Sequence, residues 1–276
     1  MKKSFLPLVA VLFGTMSAIA FLLFGAHSAR KAGPENSSTN AGVRSAGSAT
    51  KRNATAQKPK IGPNQEYKAK VERLTKKYIG TEVETGNVSG KKVALTIDSA
   101  FTSGFEQSIL DTLKSRGVKC TFFLVGRWAE DNPEIVKRIA ADGHELGNHM
   151  YSHANPTGLS DAAISEELAK TDAAVVKATG RSTKPFFRAP SGDRNQRVID
   201  MAARDGYLHF FWSVDALDWQ EGTTPEQIKR RVLPVIKSND IVLMHMNYEA
   251  EATALPEIID ELKRRGYELV KISDIL

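Results

Sequence analysis

Between residues 93 and 272, seven short apolar runs alternate with helical periodicity, and this alternation limits the possible folds more than any other feature of the chain. The strand-like runs are 93–98, 118–125, 145–149, 185–188, 207–214, 240–246 and 267–272. Helical spacing fills 105–116, 133–142, 160–179, 195–205, 225–237 and 254–265. Strands that each return through a helix must lie parallel, and runs such as Ile241-Val242-Leu243-Met244 lack polar alternation, as strands covered on both faces do. The prediction is an α/β fold, a distorted (β/α) barrel of about seven parallel strands. An open doubly wound sheet is the alternative, but no Gly-rich phosphate loop follows the first run. Helix starts carry their own signals: Thr224, Pro225 and Gln227 supply an N-cap, a first-turn proline and a capping-box partner.

The N-terminal quarter differs in character. Residues 4–26 hold no charged side chain, and at ~1.5 Å rise per residue they reach roughly 34 Å, enough for a hydrocarbon core of about 30 Å. Preceded by Met1-Lys2-Lys3, this segment predicts a transmembrane anchor. The small residues flanking His27 also suit signal-peptide cleavage, so both readings stand. Residues 27–63 lack apolar periodicity and predict a flexible basic spacer, and residues 64–90 a charged helix (64–79) followed by turns.

Charge follows the same division. Residues 1–66 carry nine Lys/Arg against two Glu, so with +6 on the whole chain the remainder sums to −1. A nearly neutral folded part is poorly suited to neutralising phosphates, which argues against a nucleic-acid partner. The single cysteine, Cys120, excludes an internal disulfide and a thiolate zinc cluster, and within its apolar run it is expected to be a small buried filler.

In parallel barrels the chemistry collects at the C-terminal ends of strands. Those ends carry Asp98, His149 with His153, Arg188, Asp215 with Asp218, and His245. Ionisable groups after five different strands form a convergent set. His149 and His153 stand four apart, a spacing that on a helix would make a ligand pair; the preceding strand and Asn155-Pro156 predict a loop instead, with surface or turn-bonding histidines as the alternative. His144-Glu145 does not open an HExxH motif, because the next histidine comes one residue late. His209, inside an apolar run, reads as a core or barrel-wall residue.

Five ordered segments carry a resemblance: Thr96-Ile97-Asp98-Ser99-Ala100, His149-x-x-Ser152-His153, Arg188-Ala189-Pro190-Ser191-Gly192, Asp215-x-x-Asp218-Trp219 and Leu243-Met244-His245. Together they resemble the motifs of the polysaccharide deacetylase family, carbohydrate esterase family 4 or the NodB homology domain, over residues 91–276. The resemblance implies a distorted barrel that hydrolyses N-acetyl, sometimes O-acetyl, groups on sugar polymers with one divalent metal. It implies Asp98 as general base, His149 and His153 as metal ligands, and Arg188 as the group orienting Asp98. It further implies His245 as general acid tuned by Asp218, Trp219 and Leu243 as walls of the acetyl pocket, and the Ser191 N–H as an oxyanion donor. These roles suit amide hydrolysis, which needs an activated water, charge stabilisation on the tetrahedral oxygen and a proton for the leaving amine.

Three positions depart from the family pattern. Ser99 stands where the family has a second aspartate as third metal ligand, so either Ser99 or Asp98 is left for that place and binding is expected to be weak or lost. With two imidazoles as ligands the expected metal is zinc, with cobalt or nickel as alternatives. Ala100 replaces a turn glycine, and Ser191 replaces a common aromatic. The leading expectation is a deacetylase of cell-envelope glycan such as peptidoglycan, held at the cell membrane through residues 4–26 with its catalytic domain outside the cytoplasm, or secreted. The competing expectations are a carbohydrate-binding or regulatory pseudoenzyme, and a metal-independent hydrolase of small amides on the same fold.

Overall fold

The computed structural model describes residues 63–99, 102 and 104–276. The predicted anchor at 4–26, Ala100 and all but the last residue of the predicted spacer lie outside them. Among the described residues no helix is long and apolar enough to cross a membrane.

Among the described residues nine strands form one parallel sheet: β1 (Glu82–Val83), β2 (Lys92–Asp98), β3 (Thr121–Leu124), β4 (Glu145–Asn148), β5 (Phe186–Phe187), β6 (Leu208–Phe210), β7 (Val214–Asp215), β8 (Ile241–His245) and β9 (Glu268–Val270). Their spatial order is β1-β6-β5-β4-β3-β2-β8-β7, with β9 beside the first half of β2. The predicted parallel alternation of strands and helices holds, with nine strands in place of about seven. The run 207–214 is two strands, and β6 and β7 lie near opposite ends of the sheet. Only residues 211–213 join them, a reach of roughly 3.3–3.6 Å per residue. The sheet must therefore curl until its ends approach, which makes it a distorted, incompletely hydrogen-bonded barrel. An isolated antiparallel bridge between Thr85 and Asp240 spans part of the gap. The predicted turns of 64–90 also give way at Glu82 and Val83 to an edge strand paired with His209 and Phe210.

The pleat sorts each strand into two faces. Along β2, Val93, Leu95 and Ile97 turn outward to the helices, whereas Ala94 belongs to the inner cluster and Thr96 and Asp98 share its face. On β8, Val242 and Met244 face out, and Ile241, Leu243 and His245 take the inner face. The outer layer is built by α2 (Glu106–Ser115), α3 (Gly126–Asp131), α4 (Pro133–Ala141), α5 (Asp161–Thr179), α6 (Gln196–Arg204), α7 (Pro225–Val232) and α8 (Glu249–Arg264). Ile109, Leu110 and Leu113 of α2 and Leu255, Ile258, Ile259 and Leu262 of α8 are buried against β2 and β8. Each such side chain contributes about 1.5–3 kcal/mol. An amphipathic helix α1 (Pro63–Tyr78) precedes the barrel and buries Leu74. Cys120 is fully buried.

Helix starts follow the chemistry of their first residues. Ser160 caps α5 by accepting from the Ala163 N–H, Asn195 caps α6 through Val198, and Thr224 with Gln227 closes a reciprocal capping box on α7. One glycine is dictated by packing. Gly147 pairs with Phe123 across β3 and β4, and a Cβ at 147 would stand 2.5 Å from the Phe123 ring.

Candidate active site

Parallel register brings the first two functional groups together, since Asp98 ends β2 directly opposite His245 at the end of β8. Both project from the inner face at the C-terminal rim. Asp98 is buried and accepts from Arg188, Nη1 to Oδ1 at 2.8 Å. The same Nη1 reaches Thr96 Oγ1 at 2.8 Å, while Nη2 and Nε donate to the carbonyls of Phe211 and Phe210. Arg188 is wholly buried, its guanidinium 4.3 Å from the centroid of Phe123. A buried charge so fully hydrogen-bonded fixes its carboxylate partner in one place. The same bonds tie Arg188 to the point where the run 207–214 divides, at the end of β6.

His149 follows β4. Its Nδ1 lies 2.8 Å from the Arg188 carbonyl, which makes Nδ1 the donor and directs the Nε2 lone pair into the cleft, 3.6 Å from Asp98 Oδ2. Burial lowers the His149 imidazole to about 4, against the opposing charge of Asp98. His153 is likewise lowered by burial, opposed by Asp98, and its ring centroid is 5.0 Å from that of His149. The stretch from 149 to 153 is a loop, steered by Asn148, whose side chain accepts from Met150 N–H and donates to the Leu168 carbonyl and Tyr207 hydroxyl.

His245 has the opposite environment. Asp218 accepts from its Nδ1 at 2.8 Å and from its backbone N–H at 2.7 Å. Burial disfavours the imidazolium, but the Asp218 hydrogen bond and charge outweigh it and raise the group above its ordinary value. Asp215 lines the cleft with His245, accepts from the Leu217 N–H at 2.8 Å and is raised by burial.

These groups line one cleft of about 310 Å³. Of the residues singled out in the sequence, Asp98, Ser99, His149, His153, Ser191, Asp215, Trp219, Leu243 and His245 line it, whereas Arg188 and Asp218 stand behind as buried supports. Trp219 is 48% exposed at the mouth. Trp212 and Tyr248 also line the cleft and were not singled out. Trp212 hid inside an aromatic run read as strand, and Tyr248 carries no motif beyond its position three residues after His245. Backbone strain gathers here: Met150, His153, Ser191 and Leu217 all have φ between 51° and 59°. Such conformations cost of order 1–3 kcal/mol each and persist where surrounding structure enforces them.

The donor set suits a divalent metal in part. His149 and His153 present neutral imidazoles, and Asp98 is the nearest carboxylate. Ser99 does not replace the missing ligand as a free hydroxyl, because its Oγ accepts from the Val125 N–H at 2.7 Å. Among the described residues no three His, Cys, Asp or Glu converge into a cage. The arrangement is therefore a two-histidine holder beside a carboxylate.

A barrel rim that pairs one carboxylate with a buried arginine and one imidazole with a buried aspartate, around two neutral histidines, holds groups suited to hydrolytic chemistry. The polysaccharide deacetylase family model matches residues 85–210. Peptidoglycan-N-acetylmuramic acid deacetylase PdaA of Bacillus subtilis is 30% identical over 230 residues, covering 82% of this chain and 84% of that protein. Peptidoglycan-N-acetylglucosamine deacetylase of Bacillus cereus is 34% identical, covering 68% and 69%. The uncharacterized Bacillus subtilis protein YlxY is 36% identical over 69% of this chain, which spans only 59% of its length. Among solved structures, a carbohydrate esterase family 4 pseudoenzyme from Bacillus anthracis superposes with a TM-score of 0.67 at 34% identity, covering 71% of this chain and 69% of that one. A mutant of the same pseudoenzyme has restored enzymatic activity. The chain belongs to the polysaccharide deacetylase family.

Proposed function

We propose that this chain hydrolyses N-acetyl groups, and O-acetyl groups where present, from an acetylated amino-sugar polymer of the cell envelope such as peptidoglycan. The observation that carries this reading is the pair of opposed supports on one cleft, Arg188 on Asp98 and Asp218 on His245. Asp98 takes the proton of the attacking water, and His245 gives one to the departing amine. The Ser191 N–H faces the oxyanion, while Leu243 and Trp219 wall the acetyl methyl. His149 and His153 would hold the metal, zinc in preference to cobalt or nickel, which when bound supplies Lewis-acid polarisation and a more acidic water. Beyond Trp219 and Tyr248 the cleft adjoins a second depression of about 450 Å³ lined by Gln220, Thr223 and Thr224 among others. Such an extension favours a polymer over a small amide. Residues 4–26 would tether the enzyme to the cell membrane beside its substrate, with the catalytic domain outside the cytoplasm, or direct its secretion.

A second reading has a specific observation behind it: Ser99, with its hydroxyl held by Val125, and the likeness to a pseudoenzyme. Ser99→Asp separates the two. An aspartate there keeps an acceptor for Val125 and adds a charged ligand oxygen, so metal affinity and acetate release are both expected to rise. A parent that releases no acetate with added metal favours the carbohydrate-binding pseudoenzyme, and gain of release in Ser99→Asp alone would mark the serine as the lost ligand position.

A further inference from the structure

We infer that Glu82, on the edge strand β1, is a positioning residue for the Ser191 turn and acts through Arg194. The inference rests on the proposed deacetylase reading for its catalytic meaning, and its geometry stands apart from it. The turn Pro190–Gly192 carries two consecutive left-handed residues, Ser191 at φ 55° and Gly192 at φ 65°. A non-glycine residue held there needs support from outside the turn.

Arg194 supplies that support. Its Nη1 donates to the Gly192 carbonyl at 3.2 Å, while Nε and Nη2 fork onto the two carboxylate oxygens of Glu82. The guanidinium lies 3.4 Å over Phe211, which stacks on Trp212 at 3.8 Å. Gly192 rests on this stack so closely that a Cβ would stand 2.8 Å from Trp212 and 2.9 Å from Phe211. Movement of Arg194 therefore shifts the turn and a cleft wall together. Glu82 is itself fixed, with the buried His209 Nδ1 3.1 Å from its Oε2 and its backbone in register with His209. On the other flank, Asp193 accepts from Thr157 N–H at 2.9 Å. The family match begins at residue 85, so Glu82 is supplied by a segment outside it.

Removing an oxyanion donor costs about 10²–10³ in turnover, and displacing one costs less. In the full chain, Glu82→Gln and Arg194→Met are each expected to lower kcat for acetate release about tenfold with KM nearly unchanged. The double variant should be no worse than the poorer single, because the two act as one unit. Glu82→Asp should recover part of the loss. Lys70→Met, which removes the ion pair anchoring α1 to Asp274, should leave kcat alone. Hydrogen exchange gives a second readout: the Gly192 and Asp193 amides, bonded to Ala189 and Pro190, should exchange faster in Glu82→Gln. Parental kcat and exchange in Glu82→Gln, or an equal kcat loss in Lys70→Met, would overturn the inference. If the parent releases no acetate, the deacetylase reading fails, and the exchange rates alone still decide the role of Glu82.

Discussion

The two sides of the cleft each set a histidine near a carboxylate, yet they drive the imidazoles in opposite directions. On the β4 side, His149 spends Nδ1 on a carbonyl and sees Asp98 only at 3.6 Å, so burial wins and the ring stays neutral. On the β8 side, His245 spends Nδ1 on Asp218 at 2.8 Å, so the ring stays charged to higher pH despite burial. What occupies Nδ1 sets the charge of each ring: a carbonyl leaves it neutral, a carboxylate favours the imidazolium, and the proposed roles of ligand and acid rest on that difference. The same contrast assigns the aspartates, because Arg188 engages Asp98 and leaves it facing the cleft, while Asp218 is used up behind His245.

The largest break in this contrast is Asp98→Asn. It removes the proposed base while leaving an acceptor for Arg188, and kcat is expected to fall by about 10²–10⁴, checked by acetate release under saturating glycan. Asp218→Asn converts the β8 side toward the β4 side. With the charge gone, burial lowers His245, so the alkaline limb of the rate profile should move toward acid. The stability effect has a definite sign. A raised imidazole stabilises the fold at low pH and loses that contribution as pH rises through its folded value, so the deficit of Asp218→Asn in denaturant should be larger at pH 6 than at pH 9.

Gly147→Ala tests the support of the Asp98 side alone. The new methyl meets the Phe123 ring, which carries the Arg188 guanidinium. An overpacking cost of about 1–3 kcal/mol is expected in urea unfolding, with loss of kcat but an unshifted alkaline limb.

Much of this was legible in the sequence because it depends on the succession of strands and helices and on the strand-end rule, which together put Asp98 and His245 at one rim. Their shared inner face is a matter of register between β2 and β8, which runs without polar alternation do not announce. What was not legible depends on tertiary contacts. The break between β6 and β7 lies where Arg188 bonds the Phe210 and Phe211 carbonyls, a contact that no local pattern in Tyr207–Leu208–His209–Phe210 announces. The strand β1 has only two residues, one of them the polar Glu82, so no apolar run marks it. Helix α3 has six residues and begins at a glycine, too short for periodicity to register. The engagement of Ser99 by Val125 joins two strand ends far apart in sequence.

Acetate release from N-acetylated peptidoglycan by the full chain with added zinc, beside His245→Ala, tests the central claim most directly. Release by the parent with a loss of at least about a hundredfold in His245→Ala is the predicted result. Equal rates in both would contradict the assignment of His245 as the acid, and no release by the parent would contradict the deacetylase reading itself.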